Sequence, residues 1–156
     1  MFALKLFTLL GCGLIAGVFF AFSSFVMNAL AQLESPQGIT AMQLINITVI
    51  NPLFMIAFLG PALACLILAV FSLLKWHQPD SSYLLVVSLL YLVGTFLVTI
   101  IFNVPLNDAL AKVDPSSIDG AKLWTSYLTN WTFWNHVRTI AAFLATAAIA
   151  IALSLT

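Results

Sequence analysis

Four long runs of apolar residues alternate with short polar segments along the chain. The runs cover about residues 5–32, 52–76, 82–103 and 133–155. Because a helix needs about 20 apolar residues to cross a bilayer, each run is long enough to span a membrane. A chain of 156 residues has room for one such domain. The expected fold class is therefore all-α, an integral membrane four-helix bundle.

Two shorter segments predict helices that lie in the membrane interface. In the segment 36–50, Ser35-Pro36 resembles an N-cap followed by proline in the first turn. In the segment 117–130, Ser116-Ser117-Ile118-Asp119 resembles a capping box, and indoles follow at helical spacing. Tryptophan is enriched at headgroup level in any case. The helix expected at 36–50 could be a lid over the bundle or only a connector.

Small side chains predict how the first and last runs pack. They recur at helical spacing in the first run, where Ser24 and Asn28 could also present polar atoms to a shared pocket, and again in the fourth run. Such spacing lets membrane helices approach closely. The two expected packing faces are Gly13, Gly17, Ala21, Ser24 and Asn28 in the first run and Ala141, Ala145, Ala148 and Ala152 in the fourth.

The segment Asn103-Val104-Pro105-Leu106-Asn107-Asp108 closes the third run. Two carboxamides and a carboxylate flank a proline, so the pattern predicts that the helix stops here. Non-helical backbone near the membrane is tolerated only where protein or a water-lined cavity satisfies it. A cavity at this end of the bundle is therefore expected.

Composition supports the membrane assignment. Hydrophobic residues make up 63% of the chain and charged residues 6%, whereas about 25% of residues are charged in soluble domains. The first apolar run is longer than the roughly 7–15 residues of a signal peptide, so it is expected to be retained. Five basic and five acidic residues cancel, and no nucleic-acid partner is indicated. Cys12 and Cys65 are isolated in apolar runs and are expected to be core residues.

The expected location is the bacterial inner membrane. The first and last runs and the turn at Lys75 place the two termini and that turn on the same side. Lys5 and Lys75 flank short loops, which favours the cytoplasm for that side. Three basic residues on the other side weaken this preference: Lys112, Lys122 and Arg138.

Polar side chains cluster in residues 131–138, where the fourth run begins. An ionisable group near hydrocarbon is costly and by default marks a functional site. On a helix Trp131, Asn135 and Arg138 share one stripe, whereas His136 points about 100° or more away. Asn135 and Arg138 are therefore expected to face the bundle interior.

A buried Arg138 is expected to need a carboxylate partner. Asp108 is the first candidate and Glu34 the second, because both are expected at the same membrane face as Arg138. Such a group could be architectural or functional. The convergence of two separated polar segments favours function.

The candidate site offers a base and fixed donors. The catalytic candidates are Asp108, Arg138 and His136, which could remove a proton or stabilise an oxyanion. The substrate-binding candidates are Asn103, Asn107 and Asn135, with Trp131 and Trp134 as ring platforms or as headgroup anchors. The fitting substrate is flat, apolar and weakly acidic, and it would arrive from the bilayer.

No cofactor or metal is expected. His77 and His136 lie in different elements and no cysteines cluster, which is a weak basis for a metal site. The sequence also contains no phosphate-binding loop, dinucleotide fingerprint or nucleophile elbow.

Three segments carry a resemblance to a known family: Ala16-Gly17-Val18-Phe19-Phe20-Ala21-Phe22-Ser23, Asn103-Val104-Pro105-Leu106-Asn107 and Trp131-Thr132-Phe133-Trp134-Asn135-His136-Val137-Arg138-Thr139. They resemble the small membrane family, long labelled a domain of unknown function, that includes the anthrone oxygenases. The resemblance implies a four-helix membrane protein. For characterised polyketide members it implies oxidation of an anthrone to an anthraquinone by molecular oxygen without an evident cofactor.

The resemblance also implies roles for the candidate residues. Asp108 or His136 would be the base, and the tryptophans would stack on the substrate rings. The oxyanion would be held by Arg138, Asn103, Asn107 and Asn135.

Two classes of function remain open at this point. The chain could be a membrane oxygenase of anthrone- or quinol-like aromatics, with membrane lipid and an aromatic small molecule as its partners. Alternatively, it could bind a lipid, a quinone or a partner helix without catalysis. A haem protein using His77 or His136 is a distant third hypothesis. The sequence does not determine the oligomeric state.

Overall fold

The protein is an all-helical bundle. The computed structural model describes residues 1–155, and no strand occurs among them. Four of the helices are long and apolar enough to cross a membrane, which confirms the expected fold class. The helices are α1 Phe2–Ala31, α2 Ser35–Thr48, α3 Pro52–Leu74, α4 Ser81–Ala111 and α5 Ile118–Ser154.

Local sequence signals set three of the helix starts. The Asn51 side chain accepts a hydrogen bond from the Phe54 N–H at 3.0 Å and caps α3. The Ser117 hydroxyl accepts one from the Gly120 N–H at 2.9 Å and caps α5. Pro36 lies in the first turn of α2, where its missing N–H costs no helical hydrogen bond. The predicted N-cap at Ser35 is wrong, because the helix begins at Ser35 and no side chain caps it.

The predicted break between the interfacial segment 117–130 and the fourth span 133–155 is absent. α5 is one helix of 37 residues. No glycine or proline separates the two segments, and the buried face runs unbroken from Tyr127 through Trp131 to Arg138. At about 1.5 Å per residue such a helix is roughly 55 Å long, so its first turns extend beyond a hydrocarbon core of about 30 Å.

The predicted helix stop at Asn103–Asp108 is also wrong, because α4 continues through Pro105 to Ala111. Residues Leu90–Leu97 and Thr99–Asn103 are wound as π-helix, and α-helical winding resumes at Val104. Pro105 thus occupies the first turn of a new α-helical segment, where a missing N–H is tolerated.

Two apolar clusters form the core. The larger one lies among the four long helices and contains Cys12 and Cys65, both fully buried as predicted. The smaller one packs α2 against α4 and α5; it contains Met42, Leu110, Trp124 and Tyr127. α2 therefore folds back over one end of the bundle.

Specific contacts hold α2 in this place. The Gln43 carboxamide donates to the carbonyl groups of Leu110 at 2.9 Å and of Val113 at 3.2 Å. Gly38 lies against the Trp124 indole, where a Cβ atom would come within 2.8 Å of the ring. A small residue is therefore needed at this crossing of α2 and α5.

The predicted small-residue faces are confirmed for α5 and only partly for α1. The four alanines of α5 are buried, and Gly13 lies opposite Thr146. Gly17, however, is exposed and has no neighbour within 4 Å of an ideal Cβ. α1 instead turns its larger residues Cys12, Ile15 and Phe19 towards the core, because the bundle interior needs their volume.

A buried ion pair closes the end of the bundle opposite α2. The Lys5 ammonium pairs with the Asp80 carboxylate and also lies 3.4 Å from the Ala152 carbonyl oxygen. Lys5 is 1% exposed and Asp80 6%. The start of α1, the α3–α4 turn and the end of α5 therefore meet at one end, as the sequence indicated, although this pair was not foreseen.

The packing at Gly11 predicts a sharp difference between two glycine substitutions. A Cβ atom at Gly11 would lie 2.2 Å from Cγ of Pro61, inside rigid ring atoms. Gly11→Ala should therefore destabilise the bundle by about 1–3 kcal/mol through overpacking. Gly17→Ala is the matched control, and it should leave stability unchanged or raise it by up to about 1 kcal/mol. Thermal unfolding in detergent, followed by circular dichroism, measures both. Equal melting temperatures would contradict the close α1–α3 contact.

The Lys5–Asp80 pair predicts asymmetric effects of single and double substitution. Lys5→Met should destabilise the protein by about 3–5 kcal/mol, because it leaves a buried carboxylate without its partner. Lys5→Met combined with Asp80→Leu should recover most of that loss. Asp119→Asn is the control, since its pair with Lys122 is exposed and 3.9 Å long. A double variant as unstable as the single one in thermal unfolding would argue against this pair as the cause.

Candidate functional site

A cavity of about 380 Å³ lies under α2 at the end of the bundle opposite the Lys5–Asp80 pair. All five helices contribute to its walls, which are mostly apolar. Its polar lining consists of Asn46, Thr99, Asn107 and Arg138. The volume falls within the range of about 300–1,000 Å³ that is usual for small-molecule sites.

Aromatic rings form much of the apolar wall. Phe58 stacks on Phe54 with 6.1 Å between centroids and lies 5.7 Å from Phe96. Phe22 lies 5.6 Å from Trp131 on another side. Offset and tilted ring contacts of this kind are favourable. A flat aromatic ligand would meet ring surfaces on several sides.

Arg138 brings a cationic side chain into this apolar space while remaining only 5% exposed. Its Nε donates to the Asn135 carboxamide oxygen at 2.9 Å, and its Nη1 donates to the Thr99 hydroxyl at 3.3 Å. The guanidinium carbon lies 4.0 Å from the Phe19 ring centroid and 4.8 Å from that of Trp131. Both rings therefore stabilise the cation through their π-electron faces.

Asn135 fixes the direction of Arg138. Its Nδ2 donates to the Phe19 carbonyl at 2.8 Å and to the Ser23 hydroxyl at 2.6 Å. Its oxygen is thereby turned to the guanidinium. The π-helical stretches of α1 (Phe22–Val26) and α4 (Thr99–Asn103) lie beside this network. Such winding is often found at functional sites.

The predicted ion pair of Arg138 is absent. Within residues 1–155, no carboxylate lies within 4.0 Å of its guanidinium, and Asp108 and Glu34 are exposed. Because α4 stays helical here, neighbouring side chains point about 100° apart. Asn107 lines the cavity, and this places Asp108 outside it.

The other predicted base, His136, also lies outside the cavity. Its side chain is exposed, as the helical stripe predicted. Trp134 is half-buried and stacks on Phe102 with 3.6 Å between centroids, and it does not line the cavity. In residues 1–155 no three His, Cys, Asp or Glu side chains are grouped so as to hold a metal.

The predicted carboxamides fall into two positions. Asn107 lines the cavity and accepts a hydrogen bond from the Tyr127 hydroxyl at 2.8 Å. Asn103 lies behind the wall, where its Nδ2 donates to the Trp131 carbonyl at 3.1 Å and its Oδ1 is buried without a partner. Asn107, Trp131 and Arg138 therefore reach the cavity, whereas Asn103 and Asn135 position them.

Comparison with family models gives a match. The model described as anthrone oxygenase matches residues 54–148, which is more than half of the chain. The chain belongs to the anthrone oxygenase family. The comparisons with curated proteins and with solved structures gave no match.

The matched part of the chain contains five residues that line the cavity: Phe58, Thr99, Asn107, Trp131 and Arg138. α1 and α2, which complete the walls, lie outside the matched range. The cavity is thus assembled from the family segment and from helices that precede it.

Sequence reasoning missed several members of the site. Thr99 lies four residues before Asn103 and Tyr127 four residues before Trp131, so helical spacing could have indicated both. Ser23, rather than the predicted Ser24, enters the network, and Ser24 and Asn28 are exposed. Of the two expectations for segment 36–50, a lid or only a connector, the structure supports the lid, because Met42, Ile45 and Asn46 line the cavity.

Proposed function

We propose that the protein is a membrane oxygenase that converts flat apolar aromatic compounds, anthrone-like or quinol-like, to quinones with molecular oxygen. One observation carries the proposal: an aromatic-walled cavity contains a buried guanidinium that has no carboxylate partner among residues 1–155. Membership of the anthrone oxygenase family supports the same reaction class.

The substrate would lie with its rings against Phe58, Phe96 and Trp131 and with its oxygen towards Arg138. Asn107 would contact a second polar substituent. Fixed donors in an apolar site stabilise a developing oxyanion strongly, because they need no reorganisation during the reaction. Asn135 and Asn103 would act as positioning residues.

The reaction needs no external reductant. With an anthrone, the ring CH2 group loses a proton to water, and this gives an enolate whose oxygen is held by Arg138 and whose carbon bonds to molecular oxygen. The peroxide formed takes up a proton. Loss of the remaining hydrogen from that carbon, with cleavage of the O–O bond, then releases water and leaves a new carbonyl group. One oxygen atom enters the anthraquinone and the other leaves as water, and the anthrone supplies all four electrons. A quinol-like substrate would instead give two electrons and two protons to molecular oxygen, which would leave as hydrogen peroxide.

The alternative function is binding without catalysis. The same cavity would hold a quinone or a lipid, and the lining supplies neither a carboxylate nor an imidazole as a base. Asp108 and His136 are exposed, so either would have to act through water or after a rearrangement. The proposed reaction requires neither of them.

The activity test follows from these positions. Purified protein in detergent is incubated with an anthrone in air, and quinone formation and oxygen consumption are measured. Arg138→Met should lower the rate about 10²–10³-fold, because a preorganised oxyanion donor is lost. Asp108→Asn and His136→Ala should stay close to the wild-type rate, because both side chains lie outside the cavity.

Two outcomes would count against the oxygenase. Quinone formation no faster than in protein-free detergent would exclude this substrate class. An Arg138→Met variant that is folded and as active as wild type would exclude the site. Saturable binding of a quinone without turnover would support the binding function instead.

The four apolar helices mark a membrane protein. We propose the bacterial inner membrane as its location, with both termini and the α3–α4 turn in the cytoplasm. Lys5 and Lys75 at that end support this orientation through the bias of basic residues towards cytoplasmic loops. Membrane lipid and the aromatic substrate are the proposed partners.

Cysteine labelling tests the orientation. The native Cys12 and Cys65 are fully buried and give little background. His77→Cys, in the α3–α4 turn, should react with a membrane-impermeant maleimide only after cells are disrupted. Ser116→Cys, in the α4–α5 loop, should react in intact cells, since both positions are exposed. The opposite pattern would reverse the assignment.

A further inference from the structure

We infer that the cavity selects its aromatic ligand in the ionised form, as a phenolate or enolate, so that no group of the protein has to remove the proton. The ligand class is therefore aromatic hydroxy compounds acidic enough to ionise before they bind. This inference rests on the proposed function and names the form of substrate that the same site accepts.

The first observation concerns the charge of the Arg138 guanidinium. Arg138 is 5% exposed among aromatic side chains, and no carboxylate within residues 1–155 pairs with it. A buried charge without a counter-charge is unfavourable by several kcal/mol. The chain neutralises its other buried cation, Lys5, with Asp80. An anionic ligand would do the same for Arg138.

The second step is the supply of donors and acceptors beside Arg138. A guanidinium has five N–H groups, and the hydrogen bonds described here use Nε and Nη1. The Thr99 hydroxyl donates its own hydrogen to the Thr95 carbonyl at 2.8 Å. A ligand oxygen placed here therefore meets donors. An oxyanion accepts them all, whereas a neutral hydroxyl group must also find an acceptor for its hydrogen.

The third step concerns groups that could ionise on each helix around Arg138. The lining residues of α1, α2, α3 and α4 include none, since their polar members are Asn46, Thr99 and Asn107. On α5 the titratable residue on the same buried face as Arg138 is Tyr127. The Tyr127 hydroxyl donates to the Asn107 oxygen at 2.8 Å, which requires the neutral phenol. Tyr127 is therefore neither the counter-ion nor an available base.

The probe is 2-hydroxyanthraquinone, a flat phenol whose colour reports its ionisation. It is already oxidised, so its binding is read independently of turnover. It is titrated with acid and base in detergent, with and without an excess of protein. Wild type should lower the apparent pKa of the dye by about 1 or more relative to empty micelles, because a cation within about 4–6 Å favours the anion.

Variants assign the effect to one side chain. Arg138→Met should abolish the lowering, while Arg138→Lys should retain part of it because the charge remains. Tyr127→Phe should retain a lowering of the dye pKa, because the phenol is not the charged partner, but it should weaken dye binding because Asn107 loses a hydrogen bond. Lys122→Met removes an exposed cation and is the matched control for net charge. Thermal unfolding of each variant identifies any that has lost its fold; if Arg138→Met is one of them, Arg138→Gln replaces it, with the same expected loss of the lowering.

A long-chain fatty acid, which carries a carboxylate on an aliphatic tail, is the competing source of the same charge. It should displace the dye only at higher concentration, because the walls are aromatic. Displacement at equal or lower concentration would overturn the assignment to aromatic oxyanions.

Other outcomes separate this inference from the proposed function. A bound dye that titrates as in empty micelles, or a lowering that survives Arg138→Met, would overturn selection of the anion. A lowered dye pKa in a protein that does not oxidise an anthrone would leave the inference standing and remove the oxygenase. Oxidation of an anthrone by a protein that leaves the dye pKa unchanged would support the oxygenase and overturn selection of the anion.

Discussion

The placement of one guanidinium in an apolar interior constrains much of this structure. Arg138 donates to Asn135 and Thr99 and lies over the faces of two aromatic rings, which hold the guanidinium in place without supplying a counter-charge. Asn135 is in turn held by the Phe19 carbonyl of α1. The hydrogen bonds and ring contacts of Arg138 therefore largely determine how α1, α4 and α5 contact one another at this depth.

The bundle contains a second buried cation, and the comparison separates architecture from chemistry. Lys5 is matched by Asp80 and helps to join three parts of the chain at one end. Arg138 lies beside a cavity and has no carboxylate partner in residues 1–155. The Lys5–Asp80 pair needs no further counter-charge, whereas the unpaired charge of Arg138 beside a cavity favours a ligand that supplies a negative charge.

α2 converts an open end of the bundle into an enclosed site. Met42, Ile45 and Asn46 line the cavity, while Gln43 satisfies carbonyl groups at the end of α4. Exposed apolar residues such as Ile50 and Leu59 border the same cavity, so the site is continuous with the surface that faces lipid. The proposed aromatic ligand would enter the cavity along this surface.

The sequence alone determined the all-helical membrane class, the cap of α5 and the inward face of Trp131, Asn135 and Arg138, because hydropathy, capping and helical periodicity act over a few residues. The same local rules failed at Pro105, where a change in helical winding let α4 continue. Only the tertiary structure decided that Asn107 enters the cavity while Asp108 does not, that Lys5 meets Asp80, and that α2 is a lid rather than only a connector. Each of these depends on the rotation and packing of helices distant in sequence, and no local pattern encodes it.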